Sequence, residues 1–170
     1  MTPAGRRLAV LDIDGVLADV RHRLHHLRSR PKDWDAFFAA APLDPPLPQG
    51  VDLAARLAEG HDIAYVTGRP SRCREDTLRW LREHGLPDGR LLTRPGGDFR
   101  ASHVTKLELL RGLERDAEVA LVVDDDDRVV RTLTRHGYTV LHATWGDPGA
   151  DGDEDAAQAL RSAQQEDGRT

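Results

Sequence analysis

The sequence predicts an α/β fold, a Rossmann-like doubly wound parallel sheet with a small helical cap insertion, on three observations. Short runs of branched aliphatic residues alternate with segments of helical period. Several of those runs end abruptly in polar or acidic residues. A proline-rich, aromatic-bearing stretch interrupts the alternation after the first run. In such a sheet the crossover helices cover both faces and ligands bind at the carboxyl edge of the strands, so the polar clusters are expected to meet there.

Leu8–Leu17 opens the pattern as a buried strand that ends in Asp12, Asp14 and Gly15. Burying an unpaired carboxylate costs several kcal/mol, about 2 or more, so the acids belong at the strand's end. Strand alternation sends Asp12 and Asp14 to the same side, where two like charges call for a cation. Residues 19–30 form a basic helical segment with Arg21, Arg23, Arg28 and Arg30. After Pro31, Trp34, Phe37 and Phe38 share one helical face. Pro42, Pro45, Pro46 and Pro48 then impose an extended connector, which makes residues 18–49 the cap insertion.

From Val51 to Glu59 a helix presents Leu53 and Leu57, and Gly60 stops it. Asp62–Val66 is the second strand, followed by a Thr67-Gly68-Arg69-Pro70 turn. Ser71–Glu83 is a helix with Cys73, Thr77, Leu78 and Leu81 inward, closed by Gly85 and Pro87. Arg90–Thr93 is a short strand, and the loop Arg94–Arg100 leads to a helix from Ser102 that carries Lys106. Glu118–Val123 is a strand that breaks into Asp124–Asp127. A helix through Val129, Val130 and Leu133 and a strand over Tyr138–His142 complete a domain of residues 1–146. The acidic stretch 147–170 reads as a polar tail, frayed helix over 155–164 or disordered.

The chain's 170 residues, 39% hydrophobic and 31% charged, suit one domain with a real core. A net charge of −5 excludes a generally basic nucleic-acid-binding surface. Lys32 and Lys106 are the only lysines among many arginines, and Cys73 is the only cysteine, which excludes an internal disulfide. No basic-plus-apolar leader precedes Leu8, so the expectation is a cytoplasmic protein with no membrane span.

Asp12, Asp14, Thr67, Lys106, Asp124 and Asp125 are the residues that the strand ends bring together. Oxygen-only ligands on a sheet edge suit Mg²⁺, whereas a lone cysteine and unspaced histidines argue against zinc. With Mg²⁺ offsetting the acids, one carboxylate can attack phosphorus and its neighbour can protonate the leaving oxygen, while Thr67 and Lys106 hold the phosphoryl group. No glycine precedes either lysine, so a P-loop kinase is excluded.

Asp12-Ile13-Asp14-Gly15-Val16, Val66-Thr67-Gly68-Arg69, Lys106 and Val122-Val123-Asp124-Asp125, in this order, resemble the four motifs of the haloacid dehalogenase (HAD) superfamily over roughly residues 6–145. The resemblance implies that Asp12 forms an aspartyl phosphate and Asp14 is the general acid/base. It makes Thr67 and Lys106 phosphate ligands, and has Mg²⁺ held by Asp12, the Asp14 carbonyl and Asp124, with Asp125 in support. Val16 departs from the threonine of many members, at a position that contributes mainly backbone. Asp12-to-Ala18, the Thr67-Gly68-Arg69 segment and Arg94-Pro95…Gly97-Asp98…Arg100 are also similar to the phosphatase half of bacteriophage-type polynucleotide kinase/phosphatases. That likeness implies a 3′-phosphatase acting on a nucleic-acid end, with Gly68, Arg69, Arg94 and Arg100 contacting substrate. Arg128 follows Asp126 and Asp127, later than the family's arginine; the two acids read as an N-cap and first-turn residues of the next helix.

A thirty-residue cap is small enough to leave the site open to a polymer end, and Arg69, Arg72, Arg94, Arg100 and the 21–30 segment could track its backbone. Hydrolysis of small phosphoesters, nucleotides or sugar phosphates, is the alternative. A phosphoacceptor receiver domain joins similar residues, but it carries its acidic pair on the first strand and its acceptor later, the reverse of the order here. Intact Asp12 and Asp14 argue against a catalytically silent Mg²⁺-binding module.

Overall fold

The computed structural model describes residues 5–167. Five strands, β1 (Leu8–Leu11), β2 (Asp62–Pro70), β3 (Gly89–Arg94), β4 (Val119–Asp124) and β5 (Val140–His142), form one sheet in the order β3-β2-β1-β4-β5. Every pairing is parallel. The helices are α1 (Trp34–Ala39), α2 (Pro48–Gly60), α3 (Arg74–Glu83), α4 (Ser102–Leu113), α5 (Asp127–Arg135) and α6 (Glu154–Ser162). None among the described residues is long and apolar enough to cross a membrane.

The alternation of β1 sorts the two core layers. Ala9 and Leu11 pack with Ala54 of α2 and Trp80 and Leu81 of α3. Leu8 and Val10 pack with Leu110 and Leu113 of α4 and Val129 and Leu133 of α5. Helices thus cover both faces, as the sequence predicts, and β1 lies at the centre with its carboxyl end enclosed.

The structure departs from the sequence reading at several element ends. β1 stops at Leu11, so strand alternation does not govern Asp12 and Asp14. β2 runs through Thr67-Gly68-Arg69 to Pro70 rather than turning there; its register to β3 shifts between Val66 and Pro70, and Pro70 pairs with Arg94. The proline connector is shorter than expected, because Pro48 opens α2 at a position where a missing N–H costs nothing. Gly50 on that first turn is set by close approach, since a Cβ there would overlap the Val16 carbonyl. On α3 Thr77 and Leu81 are buried as expected and Trp80 joins them at 1% exposure, while Cys73 lies before the helix and is half-buried.

The acidic stretch after residue 147 holds an ordered helix. Asp153 caps α6 by accepting from the Ala156 N–H at 2.9 Å. Ala156, Leu160 and Ala163 pack with Val20, Leu24, Leu27, Trp34, Phe37 and Phe38 in a third core. Acids of this stretch also meet the basic cap segment: Asp151 pairs with Arg21, and Asp153 lies 4.0 Å from Arg28. Small apolar residues on one face of a polar helix suffice here because the aromatic cap supplies the bulk of the interface.

Leu160→Ala is expected to lower the free energy of unfolding by about 2–5 kcal/mol, measured by urea denaturation. A disordered tail would show no loss.

Candidate active site

The loop after β1 separates the two acids. Asp12 continues the ladder by one step, its N–H donating to the Val123 carbonyl at 2.9 Å. The Ile13 carbonyl then accepts from the N–H groups of Val16, Leu17 and Ala18 at 3.2, 2.8 and 2.9 Å, which turns the chain sharply. Gly15 permits the turn with φ at 77°, and a Cβ there would overlap the Asp125 carboxylate. Asp12 and Asp14 consequently meet different partners.

Asp12 belongs to an acidic cluster around one lysine. Lys106 is 1% exposed on α4, and its Nζ lies 2.9 Å from Asp12 Oδ2 and 2.7 Å from Asp124 Oδ2. The Ile13 N–H donates to Asp12 Oδ1 at 2.8 Å, and the Asp126 N–H to Asp124 Oδ1 at 3.0 Å. One carboxylate oxygen each from Asp12, Asp124 and Asp125 lies within 4.8 Å of the others. Burial pushes the Asp12 carboxyl up to about 7; Lys106 opposes the rise, and Asp124 and Asp14 add to it. Asp125 is also raised well above the usual carboxylate range, by burial first and then by Asp12 and Asp124. Desolvation would lower Lys106, but the facing carboxylates reverse that and raise it. Three acids facing one lysine leave surplus negative charge, and an all-oxygen donor set of this spacing fits a hard divalent cation such as Mg²⁺. The Asp14 carboxylate is not part of this cluster.

Asp14 sits instead in a fork of buried arginines. Its Oδ1 accepts from Arg23 Nη2 at 2.9 Å and from Arg69 Nε and Nη2 at 2.9 and 2.6 Å. Burial alone would raise the Asp14 carboxyl, but Arg23 and Arg69 outweigh it and hold it below its ordinary value. Its Oδ2 is buried with no hydrogen-bond partner among the described atoms. Asp44 closes the group from behind: it accepts from Arg23 Nε at 2.8 Å, Arg23 Nη2 at 2.7 Å and Arg69 Nη2 at 3.0 Å, and His22 Nε2 lies 2.6 Å from it. The Trp80 indole N–H donates to the Asp44 carbonyl at 2.8 Å, so α3 fixes this arrangement.

The remaining predicted residues are spread more widely. Thr67 and Gly68 are buried at the carboxyl end of β2, and Thr67 Oγ1 accepts from the Arg69 N–H at 3.2 Å. Arg94 is 5% exposed and holds its own loop, donating to the Gly68 and Arg100 carbonyls and to Thr105 Oγ1 at 3.3, 2.8 and 3.1 Å. Arg100 is on the surface in ion pairs with Asp98 and Glu108 at 2.9 and 2.7 Å. Asp126 caps α5 by accepting from the Arg128 and Val129 N–H groups at 2.8 and 3.4 Å, and Asp127 occupies the first turn. Arg128 donates to the Gln165 carbonyl at 2.9 Å. Arg23 and Asp44, which surround the Asp14 carboxylate, are the residues of this site that the sequence reading missed. Arg23 is hidden among equally basic neighbours, although its place nine residues after Asp14 is a fixed short reach; a lone acid among prolines was the only sign of Asp44.

Residues 6–147 match the family model of the polynucleotide kinase PNKP phosphatase domain. The Putative nucleotidase OB0422 of Oceanobacillus iheyensis is 32% identical over 110 residues, which is 63% of this chain and 52% of that protein. A chain of the Pnkp1/Rnl/Hen1 complex superposes with a TM-score of 0.67 at 22% identity, over 82% of this chain and 46% of that one. The haloacid dehalogenase-like hydrolase SP0104 of Streptococcus pneumoniae superposes with a TM-score of 0.59 at 15% identity, over 82% of this chain and 85% of that one. The chain thus spans about half the length of the first two relatives, and the fold is shared with the two solved structures. The match over residues 6–147, on a sheet edge that gathers the acidic cluster and Lys106, places the chain in the PNKP phosphatase-domain family, with a HAD-like hydrolase fold.

Proposed function

We propose that the chain is a Mg²⁺-dependent phosphomonoesterase that works through an aspartyl phosphate and removes the 3′-phosphate of a polynucleotide end. The observation that carries the chemistry is the division of the two acids, Asp12 beside Lys106 and Asp14 in the arginine fork. An Asp12 oxygen attacks phosphorus, the bond from phosphorus to the 3′ oxygen breaks, and that oxygen takes a proton from Asp14 Oδ2. Asp14, now a carboxylate, accepts a proton from water as the water attacks the aspartyl phosphate, which releases inorganic phosphate and restores Asp12. Arg23 and Arg69 favour the carboxylate and so assist this second half; for the first half Asp14 takes up the proton carried by the phosphomonoester monoanion as it binds and passes it to the leaving 3′ oxygen. Lys106 and Thr67 steady the non-bridging oxygens. Mg²⁺ held by Asp12, Asp124 and the Asp14 carbonyl, with Asp125 behind them, would neutralise charge between the acids and the phosphoryl group when bound.

Family membership supports the polynucleotide end as substrate, and a cytoplasmic setting suits a chain with a single free thiol. A mononucleotide substrate is the second reading, favoured by the likeness to the nucleotidase OB0422. Arg94 and Arg100, if they serve substrate, do so mainly by shaping their loop.

Asp12→Asn is expected to reduce phosphate release by more than about 10³-fold with an unchanged circular dichroism spectrum, and EDTA is expected to silence the native chain until Mg²⁺ is restored. Full turnover in the mutant would sink the nucleophile assignment. Phosphate release from 3′-phosphorylated oligonucleotides should exceed that from 5′-phosphorylated ones, mononucleotides and sugar phosphates in a side-by-side assay; equal rates would refute the 3′-end reading. Asp44→Ala leaves two buried arginines short of an acceptor and should cost about 3–5 kcal/mol of stability, read from the urea midpoint.

A further inference from the structure

Beside the Thr67-Gly68 end of β2 lies a cleft of about 370 Å³ that the mechanism does not use. Trp34 and Phe38 of α1 line one side of it, their rings stacked with centroids 5.7 Å apart and planes 25° apart. Gly96, Gly97 and Phe99 line it from the loop after β3. Phe99 is 75% exposed, the one aromatic ring among the strongly exposed apolar residues. The loop that carries it is held in place, because Arg94 bonds both its far end at Arg100 and the Gly68 carbonyl. A largely exposed ring is therefore carried on a fixed support, next to the segment that would grip the phosphate.

The chemistry of the lining selects the occupant. The acids at the cleft are already engaged, Asp35 by Arg72 at 2.8 Å and Asp98 by Arg100, so few groups are left for sugar hydroxyls. Arg72 lies over the Phe38 ring at 5.8 Å, adding a flat cationic surface to the aromatic ones. Flat apolar and guanidinium surfaces recognise a π-face. Ligand pockets span about 300–1,000 Å³, so this cleft has room for one nucleoside and not for a longer stretch of polymer.

We infer that this cleft is a nucleobase subsite, in which the exposed Phe99 ring stacks on the base of the nucleotide whose 3′-phosphate is removed and the mostly buried Trp34 and Phe38 rings form an apolar wall beside it. The inference rests on the 3′-phosphatase reading and names what that site recognises beyond phosphate. The base, not the chain's charge, would then provide much of the substrate affinity.

The test measures KM of the full chain for a 2′-deoxynucleoside 3′-monophosphate and for the 3-phosphate of 1,2-dideoxyribose, in which hydrogen replaces the base at C1′. Stacking of one base corresponds to a KM lower by about tenfold for the nucleotide. Phe99→Ala should shrink that ratio toward one, and Phe99→Trp should keep it. Equal KM values in the native chain, or a ratio unchanged in Phe99→Ala, would overturn the subsite. Failure to hydrolyse either compound while 5′-phosphates or sugar phosphates are turned over would instead overturn the 3′-phosphatase reading, and the subsite with it.

Discussion

The site depends on the requirement that charge taken out of water be matched by charge. At the carboxyl edge of the sheet Asp12, Asp14, Asp44, Asp124, Arg23, Arg69 and Lys106 are each at most 4% exposed. An isolated ion in such a place is far too costly to keep, so every one of them has an opposite partner. The matching is uneven. Asp14 and Asp44 meet Arg23 and Arg69 two against two and form a neutral block. Among the described residues Asp12, Asp124 and the half-buried Asp125 have only Lys106 as a cationic neighbour. The demand for a further cation is thereby confined to one half of the site, and the Asp14 carboxylate is held in the other.

That partition required elements from both the sheet and the insertion. Arg69 comes from β2 and reaches back to an acid 55 residues earlier; Arg23 and Asp44 come from the cap. The cap is therefore more than a partial cover, because it supplies half of the neutral block. Its hold is reinforced by the Trp80 indole on the Asp44 carbonyl and by the Arg23 guanidinium 4.2 Å over the Phe37 ring. The same pairing withdraws Arg23 from any contact with a nucleic-acid backbone, and Arg21 and Arg28 face acids of the C-terminal stretch. The basic segment read from the sequence is largely internally compensated.

Much of the architecture was legible in the chain. The apolar runs located all five strands, the order of Asp12, Thr67, Lys106 and Asp124 placed them on one edge, and the capping pattern at Asp126 told where α5 begins. Residues whose role depends on distant partners were not legible. Nothing local distinguishes Arg23 from Arg21, since the difference is made by Asp44 twenty-one positions away. The end of β1 misled for a related reason: the three N–H groups gathered by the Ile13 carbonyl override strand periodicity, and only the loop as a whole specifies them. α6 was obscured by composition, because alanines in an acidic stretch look solvated until an aromatic surface is found for them.

The packing of α6 across the cap also imposes an order of events on the nascent chain. Leu24, Phe37 and Phe38 emerge early in synthesis, yet the Ala156, Leu160 and Ala163 face that covers them is made more than a hundred residues later. The sheet and the cap can assemble while that apolar surface is still bare, since domains form progressively as they leave the ribosome. A newly made chain therefore passes through an interval in which a sticky patch adjoins a nearly finished site. Chaperone binding and premature self-association would compete with α6 for the same surface during that interval.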